Sequence, residues 1–223
     1  MSITSKAIEI EQKFRYSMVT LVPKLRAMNA TFVGTKTFID KYYDTSSWFL
    51  LKQNIFLRNR AMNWETKEGL HSKHFLANKD VASSVYKETE GNDKVIIELK
   101  RFFHCESNKN TSVEEFIKEM NLSLFANIET TRTTYKINDH TKIDLDDIKL
   151  YDIQSDKYYP YSIGEVEIMA SNTSEKSKVE EEINSVRDAL GVGRYNPKVD
   201  KVPSKLDQYL YLWRREVYDD NLF

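Results

Sequence analysis

Cysteine is almost absent: Cys105 stands alone among 223 residues. That excludes an intrachain disulfide framework and any cysteine-rich metal centre. Long apolar runs are missing as well. Nowhere do about 20 apolar residues follow one another, and the opening Met-Ser-Ile-Thr-Ser-Lys has no apolar signal core. A soluble, cytoplasmic protein without a membrane span is expected. Net charge is also lacking, since 33 basic and 34 acidic residues leave a formal −1. No global field favours nucleic acid, and any anion binding must come from local clustering. Pro/Gly/Ser-rich linkers, internal repeats and low-complexity tracts are absent, so residues 1–223 are expected to form a single domain.

What the chain does have is charge at strand spacing. In Ile8-Glu-Ile-Glu-Gln-Lys-Phe14 the residues Glu9, Glu11 and Lys13 occupy every second position. On a β-strand they share one face, while Ile8, Ile10 and Phe14 point the other way. The pattern recurs in Arg58 and Arg60, in Glu65 and Lys67, in Asp144 and Asp146, and in Glu165 and Glu167. Apolar residues of the opposite parity accompany them: Leu57, Ile143 with Leu145, and Val166. Arg132 falls midway along another strand-like stretch. One such pair is explained by a solvated outer face. Five or more in one domain point instead to a charged interior, with the apolar parity outside beneath helices.

The rest of the chain supplies strands to enclose that interior. Strands are expected over residues 8–16, 31–43, 55–62, 64–68 and 84–90, with a tight connection at Met62-Asn63 and a mobile loop over 69–83. A short helix is expected over 18–28. Val95, Ile96, Leu99, Phe102 and Phe103 fall at helical spacing and predict a helix over 93–103, with Glu98 and Lys100 on its solvated face. Ser112-x-x-Glu115 fits a capping box. Residues 128–137 and 142–150 suggest a hairpin around Asn138-Asp139, and 161–169 a further strand. A helix over 174–190 should stop at Gly191, and Ser204 should cap a last helix carrying Leu206, Tyr209, Leu210 and Trp213. The expected fold is α+β: about eight mostly antiparallel strands in a closed barrel or strongly curved sheet, with peripheral helices.

Charges inside a barrel need partners. Glu9, Glu11, Asp144, Glu165 and Glu167 offer oxygen donors suited to Mg²⁺ or Mn²⁺. Lys13, Arg58, Arg60, Lys67 and Arg132 offer donors for several phosphate oxygens. A polyanion together with a divalent metal neutralises both sets.

In order along the chain, IEIEQKF (8–14), DKYYDT (40–45), LRNR (57–60), WETK (64–67), YKE (86–88), IDLD (143–146), GEVE (164–167) and PSKL (203–206) resemble the CYTH family, the triphosphate tunnel metalloenzymes. The resemblance runs from residue 8 to about residue 213 and is strongest to the animal thiamine triphosphatase branch. It implies an eight-stranded antiparallel tunnel that hydrolyses the terminal phosphoanhydride of a triphosphate with Mg²⁺, for which Mn²⁺ can substitute. By the same resemblance Asp144, Glu165 and Glu167 are metal-binding acids, and Glu9 and Glu11 face the metal and the attacking water. Lys13, Arg58, Arg60, Lys67, Arg132 and Lys205 grip phosphate. Asp146 is a possible further ligand and Glu88 a further tunnel acid. Lys67 is either a base toward water, if cationic surroundings lower its pKa, or a phosphate ligand.

In thiamine-specific members a tryptophan precedes the Leu-Arg pair and stacks on the thiazolium ring; here that position is Phe56. The implied partner is a small-molecule triphosphate bound by a monomer, either thiamine triphosphate or inorganic triphosphate. Adenylate cyclase activity and a non-enzymatic polyphosphate-binding module are the more distant alternatives.

Overall fold

In the computed structural model the described residues are 8–70, 83–105, 112–155, 157–196 and 202–221. Most of the loop expected over 69–83 lies outside them. The eight strands are β1 (Ile8–Phe14), β2 (Thr31–Asp44), β3 (Ile55–Arg60), β4 (Asn63–Gly69), β5 (Ser84–Glu90), β6 (Ser123–Lys136), β7 (Thr141–Tyr151) and β8 (Tyr158–Ala170). They close into an antiparallel barrel in the order β1-β5-β4-β3-β2-β6-β7-β8. Closure leaves no free sheet edge. The helices described are α1 (Met18–Ala27), α2 (Asn92–Phe102), α3 (Val113–Glu119), α4 (Lys176–Leu190), α5 (Lys205–Trp213) and α6 (Arg215–Asn221). None of the described helices is long and apolar enough to cross a membrane.

Two of the three apolar clusters lie outside the barrel, as strand parity predicts. Ile10 and Phe14 of β1, Ile143 and Leu145 of β7 and Val166 of β8 pack with Leu21 of α1 and Ile183 of α4. Phe14 lies across Gly164, its cross-strand partner. A methyl group there would stand 2.3 Å from the ring, so the close approach requires glycine. On the other side, Leu57 and Trp64 pack with Val95 and Leu99 of α2 and Phe116 of α3.

The third cluster corrects the expectation that apolar side chains face only outward. Along the inward parity of β7, Asp144 and Asp146 give way to Ile148 and Leu150, all four buried. On β8, Glu165 and Glu167 are matched by Tyr161 and Ile163. These apolar groups join Ile128 of β6 and Leu206, Tyr209 and Leu210 of α5. One end of the barrel interior is therefore an apolar core against α5, and only the remainder is charged.

Other differences are local. β6 begins at Ser123 rather than 128, because Ser123 and Leu124 still pair with Asp44 and Tyr43 beyond a bulge at Phe125 of β6. α6 was not anticipated; it is one short piece with a single buried apolar residue, Val217. Glu98 does not lie on a solvated face. It is buried, and accepts from Lys87 of β5 at 2.8 Å and Arg101 at 2.7 Å. Ser112 caps α3 by accepting the Glu115 backbone N–H. Ser204 and Asp207 form the reciprocal pair at the start of α5.

Candidate active site

The charged part of the interior is a cavity of about 250 Å³. Its acidic wall comes from β1 and β8. Their pairing register sets Glu11 opposite Glu167 and Lys13 opposite Glu165. Like charges placed directly opposite destabilise a sheet, and cations are interposed here. Lys13 pairs with Glu11 and stands 3.6 Å from Glu165. Lys142 of β7 donates to Glu167 at 2.9 Å. Glu9, Glu11, Glu165 and Glu167 are all buried. Burial pushes the Glu9 carboxyl well above the usual range, with Glu11 and Glu88 adding to the push against Lys67. Burial likewise raises Glu167. Burial opposes ionisation of Glu11 as well, but Lys13 and Lys67 hold it well below the usual range.

The basic wall comes from β2, β3 and the start of α5. Lys36, Arg58, Arg60 and Lys205 all face the cavity, as does Arg132 of β6. Each of these except Lys36 is held by a carboxylate that does not itself line the cavity. Asp40 accepts from Arg60 at 2.6 and 3.0 Å and pairs with Lys205 at 2.6 Å. Glu65 accepts from Arg58 at 2.5 Å. Asp146 takes Arg132 in a two-point fork at 2.6 Å, Asp144 accepts from it at 2.7 Å, and Glu165 at 3.0 Å. The cations thus form an inner layer and the acids Asp40, Glu65, Asp144 and Asp146 a buried outer layer. This fixes guanidinium orientation without occupying the cavity.

The third wall joins β3, β4 and β5. Lys67 Nζ donates to Glu9 at 3.0 Å and Glu11 at 3.3 Å, and pairs with Glu88 at 3.2 Å. It also lies 4.3 Å from the Tyr86 ring centroid. The charges in contact with it are carboxylates, although Arg58 and Lys13 also act on it as the cations expected from sequence. Burial alone would lower its pKa, but Glu11, Glu9 and Glu88 together raise it well above the usual value. These contacts favour the ammonium form of Lys67 and its role as a donor. Phe56 meets Tyr86 edge to face at 6.2 Å, lines the cavity, and packs against the apolar cluster beneath α5.

Every site residue expected from sequence reaches the cavity except Asp144 and Asp146, which lie behind Arg132. Both Asp144 oxygens are engaged, one by Arg132 and one by the Thr134 hydroxyl. Among the described residues no three carboxylates converge on one metal-sized point. The donor chemistry nevertheless suits a hard divalent cation: Glu9, Glu11, Glu165 and Glu167 present oxygens to one cavity, two of them as a like-charged cross-strand pair. Sequence reading missed Lys36, Phe38 and Asp40, which share one face of β2 with Tyr42. Lys142 and Tyr86 were missed as well.

Asp40 gives a pH prediction. Burial opposes its ionisation, but Lys205, Arg58 and Arg60 outweigh burial and hold the carboxyl well below the usual range. At Lys205 burial prevails, and its pKa falls despite the contact with Asp40. A carboxylate depressed on folding stabilises fully above its unfolded pKa of about 3.9, and the contribution is lost as pH falls below that. Asp40→Asn is therefore expected to lower stability at pH 7 by about 3–5 kcal/mol, the scale of leaving buried partners unpaired. It should also flatten the acid limb of midpoint against pH. Thermal unfolding from pH 7 to pH 3 checks both, and parallel acid limbs would refute the assignment.

Comparisons with known proteins agree with this geometry. A human thiamine-triphosphatase is 25% identical over 224 residues, covering 95% of this chain and 87% of the relative. A Pyrococcus horikoshii structure superposes with a TM-score of 0.58 at 17% identity, over 92% of this chain and 99% of the other. A Hippeastrum protein described as having a dominant triphosphatase activity superposes with a TM-score of 0.56 at 13% identity, over 93% and 96%. At those identities the two structures speak for the fold alone. The CYTH domain pattern matches residues 7–196. With its closed eight-stranded barrel and charged interior, the chain belongs to the CYTH domain family.

Proposed function

We propose that the chain hydrolyses the terminal phosphoanhydride of a triphosphate, converting thiamine triphosphate to thiamine diphosphate and phosphate. The observation that carries this reading is the cavity itself, in which Arg58, Arg60, Arg132 and Lys205 face Glu9, Glu11, Glu165 and Glu167 across one shared space. A site for anion binding alone gains nothing from four inward carboxylates, which repel phosphate unless a metal intervenes.

Glu9, Glu11, Glu165 and Glu167 would hold the divalent ion, Mg²⁺ with Mn²⁺ as substitute. Asp144 would join them only by releasing Arg132. Bound there, the ion supplies Lewis-acid stabilisation of charge on the phosphate oxygens. The arginine forks and Lys205 bind the nonbridging oxygens and fix the chain of phosphates in line. Lys13 and Lys67, held as ammonium groups by their carboxylates, donate to phosphate from the acidic side. Glu9 and Glu11 orient the attacking water. All these groups come from one chain, which supports catalysis by a monomer.

The thiamine head is assigned to the end where Phe56 and Leu206 meet the apolar cluster. An aromatic face there suits a cationic ring, and the 25% identical human thiamine-triphosphatase supports the same substrate. A second reading is inorganic tripolyphosphate hydrolysis without organic selectivity, favoured by phenylalanine where a stacking tryptophan is expected.

Phosphate release from thiamine triphosphate, inorganic triphosphate and ATP, with Mg²⁺, Mn²⁺ or EDTA, tests both. Metal-dependent turnover of a triphosphate is expected, with thiamine triphosphate preferred. A preference below about threefold, under ~1 kcal/mol, would leave only the second reading. No metal-dependent turnover of any of the three would sink the enzyme.

A further inference from the structure

Four cavity cations converge on one ring that does not line the cavity. Phe38 of β2 is 7% exposed. Around its centroid lie the Arg60 guanidinium carbon at 4.2 Å, Lys205 Nζ at 5.2 Å, Lys36 Nζ at 5.5 Å and the Arg132 guanidinium carbon at 5.8 Å. All four side chains line the cavity, whereas the ring they surround is not part of its lining. Such crowding is unfavourable, because like charges repel across short, poorly hydrated distances. Asp40 offsets Arg60 and Lys205, and the β7 and β8 acids offset Arg132. Among the described residues Lys36 has no carboxylate partner, although β-pairing sets it opposite Arg132. What faces Lys36 is the negative face of Phe38.

We propose that Phe38 is a positioning residue for the triphosphate: its ring gathers Lys36, Arg60, Arg132 and Lys205 into one cage for the phosphate end distant from Phe56. The placement along β2 gives the direction. Lys36, Phe38, Asp40 and Tyr42 share one face in order, and only Tyr42 reaches the apolar cluster that also holds Phe56. The cage lies at the other end of the series. Lys36 is exposed even with the ring in place, and without it this side chain loses its one anchor at the cage while the remaining cations relax toward their carboxylates. An incoming phosphate must then reassemble them, and affinity falls through lost preorganisation. The phosphate never touches Phe38, so its effect passes through the four cations. Lys36 thereby becomes a phosphate-binding residue that no family motif in this sequence marks.

The inference rests on the triphosphate reading but is tested apart from turnover. Binding of inorganic triphosphate is measured by calorimetry in EDTA for the wild type, for Phe38→Leu, and for the chain carrying pentafluorophenylalanine at position 38. The fluorinated ring keeps the shape and reverses the charge of its face, so it stands in if the leucine variant fails to fold. Both variants are expected to weaken binding at least fivefold, and Phe38→Tyr to restore it. Lys36→Ala should weaken the wild type but add less than twofold to the fluorinated protein, as coupled residues do.

Binding within twofold of wild type for the fluorinated protein would overturn the proposal, as would full additivity of Lys36→Ala with it. A wild type that binds triphosphate in EDTA and responds as expected, yet turns over none with Mg²⁺, would leave the cage standing and remove the hydrolase. A wild type that binds no triphosphate in EDTA would overturn the cage, and the absence of metal-dependent turnover besides would overturn the hydrolase.

Discussion

Arg132→Met is expected to destabilise the protein by about 3–5 kcal/mol, the usual result of stripping one partner from a buried ionic network. For a chain of this size that corresponds to a fall of roughly 6–20 °C in midpoint. Arg132 is the shared partner of Asp144, Asp146 and Glu165, and the two aspartates are 1% and 0% exposed. Asp146 faces Arg132 directly across the β6–β7 ladder, so the fork is set by strand register and not by loop placement. Methionine fills much of the same volume, so the source of the loss is not a void: Asp146 loses its fork, while Asp144 and Glu165 keep only Lys142 at 3.7 Å and Lys13 at 3.6 Å as cationic partners. Arg132→Lys should fall between, since an ammonium group replaces one charge but not the two-point fork. Urea or thermal unfolding of the three proteins at pH 7 decides it. A loss under about 1 kcal/mol for methionine would mean the network behaves as a solvated surface pair.

Glu167→Gln and Glu9→Gln are expected to leave the barrel folded and to lower turnover of the best triphosphate substrate by about 10²–10³-fold, the scale of removing one group that stabilises developing charge. The expected insensitivity of the fold has a definite reason in each case. Glu167 stands opposite Glu11, and the amide removes a like-charge contact. Glu9 is driven toward its neutral form by burial, and glutamine imitates that form. Steady-state rates with Mg²⁺, alongside thermal midpoints, separate the two effects. Retained turnover in both variants would show that these acids do not serve the metal or the water, and unfolding of both would show a structural role.

The sequence made the β1 wall legible because charge and apolarity alternate there with full contrast. Ile10 and Phe14 have helices to pack under, so the inward set stands out as the polar one. On β2 that contrast is lost. Its outward parity is Thr35, Thr37, Ile39 and Lys41, all exposed, and Thr35 and Thr37 bond only to Thr133 and Thr131 on the neighbouring strand. With no apolar stripe to mark the outer face, Lys36, Phe38 and Asp40 gave no parity signal.

Glu98 was misplaced because its partner Lys87 comes from β5, which no helical periodicity in α2 can reveal. The carboxylates around Lys67 were hidden for a related reason: Glu9 and Glu11 lie more than fifty positions away in the chain and meet it only when the barrel closes. Eight strands and the charged interior were thus accessible from local pattern. The layering of acids behind bases was not, because it depends on which strands become neighbours.

The inward side of β7, with Asp144 and Asp146 followed by Ile148 and Leu150, behaves like a second reading frame. A single substitution alters one side chain, whereas deleting one residue inside β7 would turn every later side chain through the wall. Deleting Asp147 would bring Lys149 toward the core beneath α5 and send Ile148 and Leu150 to solvent. Because the barrel is closed, no strand can slide to absorb the shift without breaking its pairing with both neighbours. Gains and losses of length are therefore confined to the connections between strands, and the charged interior can diverge only by replacement.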